Sequence, residues 1–313
     1  MLKTLLPKVL LNLLFLCMGL KPIISLAQTE TDALMMPQNK LCIAGLAGYS
    51  SWTNYWEGTF KRENANMGAV STNITMLMFN YGIKNNLNFI VNVPYLQTKA
   101  SKGTLAGMQG VQDLGFFIKY KPFEATSGNS LLSLYVVGGL SVPSHQYNID
   151  LLPMSIGLGS RVASVRFLGD FQSGKFTASV SGAYLHRSNV TIDRTAYFTD
   201  HQINSSEVQM PDAGNFQVRS GYRDKHLIAE AIADNMTTLG GFDIRKNDMP
   251  FVSNRMNSTR VGLEAKYYLK KISGLGIHGN YFRTVQGRNV GKATSFMAGV
   301  SYILNTGSTS KMD

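Results

Sequence analysis

His186-Arg187-Ser188-Asn189 is the stretch whose residue types and spacing could support covalent catalysis. A serine two residues from a histidine shares its face while the chain stays extended. Ser188 as nucleophile and His186 as general base would suit ester hydrolysis, and Asp200, fourteen positions after His186, could orient the imidazole. A histidine beside the start of a loop would explain the same residues without chemistry. A second group is charged rather than nucleophilic. Asp113, Lys119, Arg166, Asp170, Arg219, Glu230, Glu264 and Lys266 stand opposite apolar rows, and the aromatics Phe117, Tyr135 and Tyr268 share those faces. In a water-filled passage these residues would set selectivity. In a narrow lumen they would have to pair with one another. The five histidines are scattered without metal-site spacing, and no phosphate-binding loop or nucleotide fingerprint is present. No cofactor is expected.

Strands must position both groups. Residues 73–121 hold three alternating runs separated by a polar turn at Lys84-Asn85-Asn86 and a Gly/Ser/Lys-rich loop. Period-two alternation marks a strand with two different faces. The run over 111–121 is a clear case: Leu114, Phe116, Ile118 and Tyr120 point one way, Asp113, Gly115, Lys119 and Lys121 the other. The same pattern predicts strands over 39–50, 68–81, 87–96, 130–142, 161–171, 176–187, 215–222 and 227–238. Further strands follow around 260–270, 275–285 and 294–304. Residues 122–129 read as a turn, and 227–232 could equally begin a helix. The count is twelve, even as a closed antiparallel barrel requires. Connections are short after even strands and long after odd ones, which puts both chain ends and the short turns on one side of a membrane, the periplasm. A soluble β-sandwich would not segregate its loops so regularly. The fold expected is all-β, a transmembrane up-and-down antiparallel barrel over 39–304.

The N-terminus indicates export. Lys3 and Lys8 precede an apolar run over 9–20, and Ser25-Leu26-Ala27 offers a small-x-small cleavage site. This predicts a signal peptide over 1–27; the apolar run falls short of the ~20 residues a spanning helix needs. A polar leader over 28–38 is expected to be periplasmic and mobile, and 305–313 to form a polar tail. Cleavage removes Cys17 and leaves Cys42 alone, so no intrachain disulfide can form. It also removes three lysines, taking the formal charge from +11 to +8. In an exported chain that surplus suits outer-membrane lipid and lipopolysaccharide rather than nucleic acid. The expected location is the bacterial outer membrane.

Tyr81-Gly82-Ile83-Lys84-Asn85-Asn86-Leu87, then Val93-Pro94-Tyr95, Gly110-Val111-Gln112-Asp113-Leu114 and Lys119-Tyr120-Lys121 carry a resemblance. The chain resembles the outer-membrane proteins grouped with those encoded in phenol-degradation (meta-pathway) operons, a family of outer-membrane transporters. The resemblance implies passive passage of hydrophobic or aromatic small molecules, and insertion by the barrel assembly machinery. Gln112 stands where the family has a second glycine, and the nearest aromatic to the C-terminus is Tyr302. The His186/Ser188 pair separately resembles outer-membrane phospholipase A and lipid A deacylases, with Val190 in place of the glycine after their asparagine. A lipid esterase and a non-conducting structural barrel are therefore the alternatives to a channel.

Overall fold

The computed structural model describes residues 29–245 and 248–307; the expected signal peptide and the tail beyond Gly307 lie outside the described residues. Twelve antiparallel strands close into a barrel. They are β1 (Lys40–Trp52), β2 (Val70–Lys84), β3 (Leu87–Ala100), β4 (Leu114–Ser127), β5 (Ser130–Val142) and β6 (Val162–Ser173), followed by β7 (Phe176–Arg187), β8 (Ala213–Arg223), β9 (Leu227–Thr238), β10 (Asn257–Tyr268), β11 (Leu275–Arg288) and β12 (Thr294–Asn305). Each pairs with its neighbours in the chain. β1 pairs with both β2 and β12, from Lys40↔Asn305 to Ser51↔Thr294, so the ring has no open edge.

Alternation decides what each wall residue meets. Ile118 is 54% exposed and the next residue, Lys119, is 0% exposed. Phe167, Val180, Phe216, Leu263 and Val300 lie on the outside, while Asp170, Ser181, Arg219, Glu230 and Lys266 are buried inside. A water-soluble sheet would do the reverse, so this wall is built to meet lipid. No helix among the described residues is long and apolar enough to cross a membrane. Closing the sheet satisfies the backbone groups that hydrocarbon would leave unpaired.

Three local expectations change. The predicted turn over 122–129 is mostly strand, because a register shift between Tyr120 and Phe123 absorbs Pro122 as a bulge. The chain then reverses at Gly128-Asn129, as it does at Gly174 with φ 57°, a conformation glycine adopts without steric cost. The opening of β9 is strand rather than helix, paired on both sides, with Glu230 opposite Gly221 and Glu264. The connection after β11, over 289–293, is short, so five long loops rather than six lie at the loop end. Three of these, 143–161, 188–212 and 239–256, pack an apolar cap from Ile149, Leu152, Val190, Val208, Met210 and Val252. The polar 188–212 loop is itself ordered by two small hairpins.

The largest departure is the leader. It does not hang free. Asn39 takes a left-handed φ of 58°, which asparagine tolerates, and donates from its N–H to Gly82 O at 2.8 Å. Residues 29–38 then run from the turn end into the barrel. Met36 is fully buried, Leu34 and Asp32 nearly so. The chain passes so close to β2 that a Cβ at Gly82 would lie 2.0 Å from Pro37 O and 2.7 Å from Met36 O. Leu34 and Met36 pack with Cys42, Ile228, Tyr268 and Ile303, and Ala33 packs with Tyr135 and Leu168.

Candidate functional site

Residues 29–34 of the leader form a tight turn held by its own side chains. Thr29 N–H donates to Asp32 Oδ2 at 2.8 Å, and Asp32 N–H donates back to Thr29 Oγ1 at 3.2 Å. Asp32 Oδ1 also accepts from Leu34 N–H at 3.2 Å. This reciprocal closure is characteristic of Asp and Thr where they outcompete regular backbone pairing. It points the carboxylate at two lysines. Lys119 Nζ lies 3.1 Å from Oδ1 and Lys266 Nζ 2.9 Å from Oδ2. Lys119 is on β4 and Lys266 on β10, six strands apart in a ring of twelve, so they reach Asp32 from opposite walls. The turn is fixed further by Arg219 to Thr31 Oγ1 at 3.1 Å, Tyr135 to Ala33 O at 2.9 Å, and Asn92 to Glu30 at 3.3 Å.

From Lys266 an alternating chain of charges runs along the wall. Lys266 meets Glu264 at 3.0 Å, and Glu264 lies 3.6 Å from Arg219. Arg219 contacts Glu230 at 3.3 Å, and Glu230 contacts Arg223 at 3.0 Å. Arg223 then grips Asp170 with two bonds, at 2.9 and 3.3 Å. A side branch joins Arg166 to Asn215 at 2.9 Å, Asn215 to Asp234 at 2.9 Å, and Asp234 to Arg260 at 2.6 Å. Buried charges so arranged are compensated, whereas removal of one partner would strand another.

Most of the charged residues expected to line a passage are therefore brought together: Lys119, Asp170, Arg219, Glu230, Glu264 and Lys266 form one network, with Arg166 beside it. Tyr135 and Tyr268 face the leader, and Phe117 packs on the apolar Ala44–Met78–Ile90 cluster. Asp113 stands apart at the loop end, hydrogen-bonded by Tyr147; burial raises its carboxyl above the ordinary range and that bond opposes the rise. Sequence reasoning missed Asp32, Asp234, Arg260 and Arg223. Arg223 carried a usable signal, since it continues the parity of Arg219 at the strand end.

The esterase arrangement is not formed. β7 ends at Arg187, and Ser188 Oγ accepts from Arg161 N–H at 2.9 Å and donates to Asn189 O, with no hydrogen bond to His186 among the described residues. His186 pairs with Asp212 at 3.1 Å. The Tyr184 hydroxyl, then the Arg187 N–H and His186, hold the Asp212 carboxyl below its usual range. Asp200 sits at the exposed loop tip against Thr199 and His201. Ser188→Ala is expected to leave any turnover of short-chain esters by detergent-solubilised protein unchanged, and to cost only about 1 kcal/mol for one lost hydrogen bond. Ester turnover by the parent that vanishes in the variant would overturn this.

No protein-family model and no curated protein matches the chain in sequence. Solved structures do match in shape. An outer membrane channel from Pseudomonas putida F1 superposes with a TM-score of 0.70 at 14% identity, covering 89% of this chain and 100% of that one. The translocator domain of the autotransporter NalP from Neisseria meningitidis aligns with a TM-score of 0.42 at 10% identity, over 85% of this chain and 88% of that one. What the chain shares with the Pseudomonas putida channel is its fold, a closed barrel of the outer-membrane type.

Proposed function

We propose that this protein is a passive outer-membrane channel for small molecules with hydrophobic or aromatic bodies, closed at rest by its own leader. The short turns, the start of β1 and the end of β12 then face the periplasm, and the long loops face outward. The observation that carries the reading is that the middle of the lumen is filled by residues 29–36, which precede the wall in sequence and hydrogen-bond to it through side chains. A wall that blocked itself would need no such segment. The apolar cap at the loop end, with Tyr147, Tyr197 and Phe251 packed against it, presents the surface an aromatic solute would meet first. The continuous charge chain favours a second reading, a barrel kept for structure alone.

Two variants separate these readings. Deleting residues 29–36 removes the plug. Gly82→Leu should expel it without touching a charge, since even a Cβ at that position collides with the leader backbone. In proteoliposomes loaded with phenyl glucoside, an aromatic solute that does not cross lipid unaided, both are expected to raise leak at least about tenfold over the parent, the effect of a closed state favoured by roughly 1.4 kcal/mol or more. Leak from both variants no faster than from empty vesicles would leave the structural barrel standing.

A further inference from the structure

We propose that the place now held by Asp32 is a carboxylate-binding site of the channel, and that its solutes are monocarboxylates with an apolar or aromatic body. The proposal rests on reading the barrel as a channel.

Lys119 is the observation that leads there. Its side chain is wholly buried, yet among the described residues every hydrogen bond it makes goes to the leader: Thr29 O at 3.0 Å, the Asp32 carbonyl, and Asp32 Oδ1 at 3.1 Å. The buried arginines differ. Arg219 has Glu230 and Glu264, Arg223 has Asp170 and Glu230, and all of these acids belong to the wall. A lysine buried for structure alone would be expected to carry its counter-charge in the wall, or to be replaced by an apolar residue of similar size. Lys119 instead meets its acid on a segment that is not part of the sheet.

The charges along the connected network make the same point. Lys119, Lys266, Arg219 and Arg223 supply four positive charges, and Glu264, Glu230 and Asp170 supply three negative ones. One positive charge is left over, and Asp32 cancels it. Along these ion pairs the charges balance only while a carboxylate sits between the two lysines, with donors that approach both its oxygens from opposite walls. A cation would be repelled there.

The space beside the carboxylate is apolar. The residues after Asp32 are Ala33, Leu34, Met35 and Met36. They lie against Tyr135, Leu168, Ile228, Tyr268 and Ile303. The Lys119 ammonium also stands 5.5 Å over the Tyr135 ring, a contact that keeps an aromatic wall next to the anion site. Carboxylate first, apolar body behind it: the leader itself has the chemical outline of the ligand, and a solute of that outline would compete for the same contacts. Because Lys119 and Lys266 converge across the lumen, any solute on the axis must pass them.

The test uses fluorine NMR on the full-length protein in detergent, with 4-fluorobenzoate as probe and 4-fluorobenzyl alcohol and 4-fluorobenzylamine as neutral and cationic counterparts. Asp32→Ala frees the cradle. It is expected to bind 4-fluorobenzoate at least about tenfold more tightly than either counterpart, and at least about tenfold more tightly than the parent does, the scale of one charge-assisted hydrogen-bond pair gained. Asp32→Ala combined with Lys119→Met removes the surplus charge, leaves the wall at three against three, and should abolish the preference. Retention of the folded band on unheated electrophoresis checks the barrel in each variant. Equal binding of the acid and the alcohol, or a preference that survives Lys119→Met, would overturn the site while leaving the phenyl glucoside result to stand for the channel. Tight 4-fluorobenzoate binding with no leak from either plug variant would overturn the channel on which the proposal rests.

Discussion

Asp32→Ala should unseat the leader and raise single-channel current in planar bilayers. Lys119 would lose its ion-pair partner, and Lys266 would keep Glu264 but lose its 2.9 Å contact with the plug. Breaking a buried ion pair from one side costs about 3–5 kcal/mol. That is enough to change the ratio of docked to undocked leader by roughly two to nearly four orders of magnitude. The cost falls on docking rather than on the barrel, because the undocked state lets water reach both lysines. Labelling a cysteine placed at Leu34 with a water-soluble maleimide gives an independent readout: slow in the parent background, fast with Asp32→Ala. Glu30→Gln is the comparison: Glu30 makes one 3.3 Å contact with Asn92 and acts on Lys119 and Arg166 only at longer range, so it should change current and labelling less than Asp32→Ala. Current and labelling unchanged by Asp32→Ala would mean that the apolar contacts of Leu34 and Met36 hold the leader alone.

Glu230→Ala should produce the largest loss of barrel stability. Its two oxygens divide between Arg219 and Arg223, at 3.3 and 3.0 Å, and its side chain is 3% exposed. Without it Arg219 retains Glu264 at 3.6 Å and Arg223 retains Asp170, so two guanidinium groups share too little acid in a space closed to water. The expected cost is about 3–5 kcal/mol, read as a fall in the urea midpoint of folding into lipid vesicles. Replacing a charge-balanced pair, as Asp170→Leu with Arg223→Met, should cost much less, because Glu230 keeps Arg219 and well-packed apolar residues need no partner. A double variant less stable than Glu230→Ala would show that the pair contributes beyond mutual compensation.

The barrel was legible because its signal is local. Leu114, Phe116 and Ile118 against Gly115 and Lys119 state the two faces within six residues, and the same pattern recurs around the ring. The extension of β4 past Pro122 was not legible, since a bulge looks like a turn until its partner strand is known. The charged candidates were found by parity, which needs no knowledge of the partner. Their pairing, which joins β6, β8, β9 and β10, depends on strand register. Asp32 gave no signal at all. It sits in Thr29-Glu30-Thr31-Asp32, polar and without period, and its role appears only when the closed ring brings Lys119 and Lys266 to face each other. His186 shows the same limit, because its partner Asp212 is set by how loop 188–212 returns, not by proximity in sequence.

A thin-walled tube resists stretching around its circumference, where hydrogen bonds lie end to end, far better than it resists being squashed into an ellipse. The carboxylate tied to β4 and β10 acts as a spoke across that soft direction. With the spoke removed, the cross-section is free to ovalise, so the passage that opens need not be the round bore the resting shape suggests. A flat, plate-like solute would then be admitted more readily than a sphere of the same volume.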